Sequence, residues 1–402
     1  MQALLKGLRI VEGSAFIAAP MCGMTLAQMG ADVIRFDQIG GGIDYRRWPV
    51  TADNTSIYWA EMNKGKRSLA VDLRSPAGRE LVTDLICAPG EAGGIFSTNL
   101  PARGFLDFEA LKQRRPDLIQ HEIIGDRRGG TALDYTVNAK VGFPFVTGPE
   151  DDDRPVNHVL PAWDIACAYL AALDILAAER HRRLTGAGQR ITLALADVAL
   201  ANVGNLGLIG EVKINGEQRG RHGNYLYGAL GRDFVTADGR RIMIIAVSAK
   251  QWERLLEASG TAAEVAALAT RLELDFAREG DRFKARRELC ALFEPWVARH
   301  PLAELARILD DCGICWDAYQ SITELVNEDP DCSPDNPLFA DVEQPGIGTY
   351  PVPGVPGTFS AVSREPARRA PRVGEHTDEV LAEVLGLDSS AIGKLHDQGI
   401  VA

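Results

Sequence analysis

From Ile165 to Arg183 the chain runs without Gly or Pro and is rich in Ala, Leu and Ile. Most of these residues lose little freedom when fixed in a helix. The first half, Ile165 to Leu173, is apolar nearly all round. A helix with no polar face has to be enclosed by other elements, so the fold must supply layers on more than one side. Its end is equally marked. Arg180, His181, Arg182 and Arg183 complement the helix dipole, and Gly186 and Gly188 then stop the helix. At its entrance stands a carboxylate, in His158-Val-Leu-Pro-Ala-Trp-Asp164. From the residues alone, Asp164 either caps the helix or supplies chemistry, and the two roles are compatible.

Around this helix, strands alternate with helices. Leu8 to Val11 is a short apolar run, Pro20 suits a first helical turn, Met21 to Met29 continues that helix, and Asp32 to Phe36 is the next strand. Further strands are expected over 67–73, 94–98, 118–124 and 189–195, with a helix over 76–85. The alternation predicts an α/β domain with a parallel sheet and right-handed crossovers. Between Glu12 and Pro20 there is only Gly13, so the dinucleotide fingerprint is missing. Asp37 imitates the ribose-binding acid, but without the glycines NAD or FAD is not expected and a strand-end turn explains it. From about 225 the character changes. Asp238-Gly239 centres a hairpin over 232–245, and a charged helical stretch follows to about 318, which reads as a smaller domain. Residues 330–370 are Pro- and Gly-rich with few periodic elements, and 374–381 begins a last helix.

The formal net charge of -12 disfavours a nucleic-acid partner, because phosphate binding needs a basic surface. Two local basic clusters, Arg46-Arg47 and Lys64-Gly-Lys66-Arg67, either meet a phosphorylated ligand or are solvated loop charges. Gly40-Gly41-Gly42 beside them is either a flexible turn or a place of close backbone approach. Seven irregularly spaced cysteines argue against a disulfide framework and for a reducing compartment. Cys312-Gly-Ile-Cys315 has no second CxxC or His pair, so no metal site is expected. The longest apolar run is far short of the roughly 20 residues of a membrane span, and the N-terminus lacks a signal-peptide layout. A soluble cytoplasmic protein with no membrane partner is expected.

Four segments, in order along the chain, carry a resemblance. They are Leu8-Arg-Ile-Val with Pro20 and Gly30-Ala-Asp-Val-Ile34; Asn63-Lys-Gly-Lys-Arg-Ser-Leu69; Asp164 with its Ala-rich helix and Thr185-Gly-Ala-Gly-Gln189; and Gly374-Glu-His-Thr-Asp-Glu-Val-Leu381. Together they resemble the class III CoA-transferases of the CaiB/BaiF type. The resemblance implies an α/β fold with a large Rossmann-like domain built from both chain ends and a small α/β domain. It places the large domain at 1–205, the small domain at 225–325, and a C-terminal segment returning to the large domain at 326–402. It also implies a homodimer of interlocked rings, an arrangement otherwise rare.

By the same resemblance Asp164 is the nucleophile, and Val71, Arg74, Asn99, Leu100 and Arg103 bind CoA. No metal and no separate cofactor are implied, since CoA enters as part of the acyl-CoA substrate. A narrower likeness rests on Val11 to Phe16, Asn157 to Asp164 and Gly223 to Gly228. It implies transfer of CoA from C1 to C4 of one mesaconyl (2-methylfumaryl) group. Ile17 stands where oxalate- and formate-handling members carry glutamine, and no glycine run occurs between 205 and 235, which speaks against formyl or oxalyl exchange. Other readings stay open: transfer between two different acids, 2-methylacyl-CoA racemisation by an aspartate and a histidine, and a non-catalytic acyl-CoA binder. His158 and His222 are read as structural or as substrate contacts.

Overall fold

The computed structural model describes residues 3–402. Its contacts form two compact units, one of residues 3–141, 159–210 and 329–402, the other of 142–158 and 211–328.

The first unit is built on a six-stranded sheet of β1 (Arg9–Gly13), β2 (Asp32–Gln38), β3 (Arg67–Val71), β4 (Ile95–Thr98), β5 (Ile119–Ile124) and β6 (Gln189–Ala194). The order is 3-2-1-4-5-6 and every pairing is parallel. This is the doubly wound order of dinucleotide-binding folds, reached here without the glycine fingerprint. The connecting helices are α1 (Ala18–Gln28), α2 (Ile57–Met62), α3 (Pro76–Cys87), α4 (Phe108–Arg114), α5 (Asp134–Lys140), α6 (Ala162–Thr185) and α7 (Leu195–Asn205). Helix α6 packs on α1 and β5, and buries Cys167, Ala168, Ala171 and Ile175. It starts three residues earlier than the sequence pattern suggested, so Asp164 lies inside its first turn.

The chain end closes the unit. Val380 and Leu381, in a helix over Thr377–Leu385, join the core of Leu69, Val82, Leu85, Ile86 and Phe96. The Asp72 N–H donates to the Ile400 carbonyl at 2.8 Å, and the Thr377 hydroxyl donates to the Ala402 carbonyl at 2.8 Å. Residues 330–370 are less irregular than composition suggested. They hold an antiparallel hairpin of Phe339–Gln344 and Gly348–Pro353, whose Pro-rich second strand masks its own pattern.

The second unit carries an antiparallel sheet of β7 (Leu230–Val235), β8 (Arg241–Ala246) and β9 (Cys315–Ala318), with β8 central. Gly239, at φ 76°, makes the expected Asp-Gly turn between β7 and β8. Helices over 249–259, 286–297 and 302–312 cover the sheet through Trp252, Leu255, Leu289, Phe293, Leu305 and Leu309. Strand β9 falls inside the stretch read as helical; a four-residue edge strand leaves no periodicity to detect. Among the described residues no single helix is long and apolar enough to cross a membrane.

Candidate active site

The strand order reverses between β1 and β4. In open α/β sheets the crevice beyond the carboxyl ends of the strands at that point is where ligands bind. Two loops bound it here, residues 14–17 after β1 and 99–103 after β4. They are tied together: the Ala15 N–H donates to Asn99 Oδ1 at 2.9 Å, and Asn99 Nδ2 donates to the Ala15 carbonyl at 2.7 Å. Phe16 is held at φ 70°, a left-handed conformation that costs a non-glycine residue roughly 1–2 kcal/mol. Its N–H donates to Asp44 Oδ2 at 3.0 Å, which offsets part of that strain.

Asp44 belongs to a buried charge network beneath the loop. Arg35 donates to both oxygens of Asp37, at 2.9 and 3.0 Å, to Asp44 at 2.9 Å and to Asn63 Oδ1 at 3.1 Å. Lys66 Nζ donates to Glu12 at 2.7 Å, to Asn63 Oδ1 at 3.0 Å and to the Pro20 carbonyl at 2.8 Å. These bonds correct two sequence readings. Both oxygens of Asp37 are held by Arg35 within β2, so it does not serve the strand-end turn expected of it. Lys64, Lys66 and Arg67 neither face a phosphate nor stand in solvent. Lys64 pairs with Glu61, and Arg67 with Asp32, Glu379 and Glu383. Of the basic clusters, Arg47 is the member by the site. Its exposed guanidinium lies 5.2 Å from the centre of the Phe16 ring and 5.4 Å from that of Tyr58.

Asp164 does not cap its helix. Pro161 occupies the cap position and provides no side-chain acceptor. Instead Asp134, at the start of α5, reaches across. Its Oδ2 accepts the N–H of Trp163 at 2.7 Å and the N–H of Asp164 at 3.1 Å. Asn138, one turn further along α5, accepts from the Trp163 indole at 3.2 Å. The Asp164 carboxylate is thereby left without a hydrogen bond or ion pair among the described residues. Burial, and then the negative charge of Asp134, push its carboxyl up to about 7 against the opposing pull of Arg47. A half-buried carboxylate with raised proton affinity and no structural duty is suited to covalent or proton-transfer chemistry.

The other candidate residues divide by surroundings. Val71 ends β3 with its side chain buried, which leaves only its main chain at the sheet edge. Arg74 follows it with a side chain 85% exposed. The Leu100 N–H is bound to Thr98 Oγ1 at 2.9 Å, and Arg103 is exposed. Because the sheet is parallel, the loops carrying these residues leave the same edge. His158 and His222 belong to the second unit. There His222 stacks on Tyr227 at 5.4 Å, and burial followed by the charge of Arg286 lowers its proton affinity. Asp134, Asp44 and Tyr58 were not picked from sequence. Asp134 offered a weak signal, an acid opening a helix, which ordinarily reads as serving that helix alone.

The parallel sheet, its switch point and the uncommitted carboxylate at a helix entrance describe an α/β enzyme, and residues 5–377 match CoA-transferase family III. The chain belongs to that family. It is 57% identical over 403 residues to the 2-methylfumaryl-CoA isomerase of Chloroflexus aurantiacus, covering 100% of this chain and 98% of that one. It is 29% identical to the succinyl-CoA:mesaconate CoA-transferase of Haloarcula hispanica, over 94% of this chain and 96% of the other. A CaiB/BaiF family protein from Brucella suis superposes with a TM-score of 0.76 at 26% identity, over 94% of this chain and 99% of that one.

Proposed function

We propose that this chain is an intramolecular CoA transferase that converts 2-methylfumaryl-CoA, with CoA on C1, into 3-methylfumaryl-CoA, with CoA on C4. The full-length 57% identity to a 2-methylfumaryl-CoA isomerase carries the reading, set against 29% to a transferase named for two different acids.

Asp164 is the nucleophile. Its carboxylate attacks the C1 thioester carbonyl and expels CoA thiolate, leaving a mixed anhydride. The thiolate attacks the Asp164 carbonyl, which gives an aspartyl-CoA thioester and frees the C1 carboxylate. The C4 carboxylate then attacks that thioester, thiolate leaves again, and its attack on the C4 acyl carbon releases product and restores Asp164. Each step is an acyl substitution, so no metal or further cofactor is required. Covalent catalysis divides the exchange into easier steps, and a diacid retained between them acts at high effective concentration.

CoA runs along the carboxyl edge of the sheet, past the main chain of Val71, the exposed guanidinium of Arg74, which pairs with Asp72 at 3.6 Å, and Asn99, Leu100 and Arg103. Since the Asn99 side chain is occupied by Ala15, its contribution is to the shape of the pocket. We place the working form in the cytoplasm as a homodimer of interlocked subunits. The free cysteines support the compartment. Exposed apolar side chains in the first unit support the dimer, with Leu173, Leu184, Leu206 and Ile209 all more than half exposed.

Purified protein given mesaconyl-C1-CoA should yield the C4 isomer, separable by chromatography, and labelled free mesaconate should stay out of the CoA esters. Label entering the esters would replace the intramolecular reading with transfer between two acids. Light scattering should give the mass of two chains. Preformed dimers carrying different tags should not exchange subunits unless unfolded.

A further inference from the structure

We infer that Asp134 is a positioning residue for this reaction: its carboxylate, delivered from α5, caps the helix that carries Asp164 and puts a second negative charge beside the attacking carboxylate. The inference rests on the reading of Asp164 as nucleophile and deepens it.

The geometry is specific. A helix leaves its first N–H groups without partners, and a side chain at the cap position usually takes one. Helix α6 has a proline there. Asp134 replaces the missing cap from another element, with one oxygen bound to the N–H groups of residues 163 and 164. Asp134 is buried, and its second oxygen, Oδ1, has no hydrogen-bond partner among the described residues. An unshared lone pair on a buried carboxylate is costly, and a purely structural cap would be served by a neutral Ser or Asn.

A charged cap has a consequence that a neutral one lacks. Repulsion between two carboxylates makes Asp164 more basic, and a more basic carboxylate is a better nucleophile. When Asp164 becomes an anhydride or thioester it loses its charge, and the repulsion disappears. Asp134 therefore favours the acylated enzyme over the resting one. The groups that face Asp164 electrostatically are Asp134 from α5, Arg47 from the loop after β2, Tyr58 from α2 and Cys167 on α6 itself. Of these, Arg47 opposes Asp134.

The test is the pH profile of kcat/KM for wild type, Asp134→Asn and Asp134→Ala, with thermal unfolding of each. Asp134→Asn retains an acceptor for the helix N–H groups but not the charge. Its acid limb should move down by roughly one pH unit, and aspartyl-CoA formation, trapped with hydroxylamine at Asp164 and read by mass spectrometry, should slow at least tenfold. Asp134→Ala should lose unfolding temperature as well. A profile for Asp134→Asn that superposes on wild type, or a loss of rate with an unmoved acid limb, overturns the inference and leaves Asp164 standing. Asp164→Asn that retains turnover and shows no trapped adduct in wild type would instead remove the nucleophile, whatever Asp134 does.

Discussion

Asn99 grips Ala15 by both backbone groups, accepting its N–H at 2.9 Å and donating to its carbonyl at 2.7 Å. The two residues are separated by 84 positions in the chain and lie on the two loops where the strand order of the sheet reverses. Each such bond contributes about 1 kcal/mol. Asn99→Ala should lower unfolding stability by about 2 kcal/mol in urea titration. It should also cost roughly 10- to 100-fold in kcat/KM through misplacement of the loop. An unchanged kcat/KM would separate the clamp from catalysis.

Asp164→Asn should remove turnover by roughly 10³-fold or more while making the fold more stable at neutral pH. The carboxyl rises from 3.8 to about 7 on folding. A group with raised folded affinity contributes stability that is full below the unfolded value and is lost as pH climbs through the folded one. Wild-type stability relative to the variant should therefore fall between about pH 4 and pH 7 and level off above, by up to about 4 kcal/mol. Denaturant titrations at a series of pH values measure this directly. A difference independent of pH would contradict the buried carboxylate.

The same titration appears in catalysis. With Asp164 as the proposed nucleophile, only its ionised form would attack, so kcat/KM of the wild type should rise with pH and bend near 7. An acid limb near 4 would mean that a substrate-free Asp164 is fully ionised at neutral pH.

Lys66 and Glu12 meet at 2.7 Å with neither side chain exposed. Lys66→Met leaves a buried carboxylate without its cation and should destabilise by about 3–5 kcal/mol. Adding Glu12→Gln should recover much of that loss, because the pair as a whole adds little net stability. Paired unfolding curves decide the point, and additive losses would argue against direct coupling.

Gly186 and Gly188 should respond differently to alanine. Gly186 ends α6 at φ 76° with open space around it, so Gly186→Ala should cost about 1 kcal/mol. A side chain on Gly188 would come within 2.2 Å of the Leu118 carbonyl oxygen. Because backbone cannot swing aside, Gly188→Ala should cost more than about 3 kcal/mol. Similar unfolding midpoints for the two variants would contradict the close packing of β6 against β5.

The strands of the main sheet were legible as short runs of apolar or alternating residues between turn residues, and β2 and β3 are buried along nearly their whole length. Helix α6 was legible because its composition left it no other fate. Of the proposed site residues, only Asp164 stood out by its local sequence pattern. Arg46-Arg47 and Lys64-Gly-Lys66-Arg67 looked alike in sequence, yet Lys66 lies in the interior and Arg47 stands over Phe16. Charge alone does not say which side of a layer a side chain enters; the partner across the layer decides it, as Glu12 does for Lys66.

What the linear chain determined by itself was local: where strands alternate with helices, that Ile165 to Arg183 must be enclosed, and that an acid stands at its entrance. Only the tertiary structure decided what that acid is free to do. The cap it could have formed is made by Asp134, thirty residues upstream, because a side chain from α5 reaches the helix N–H groups that Pro161 leaves open. Local propensity extends over one turn; assignment of the capping bond to one aspartate and of the free carboxylate to the other requires two elements brought together in space.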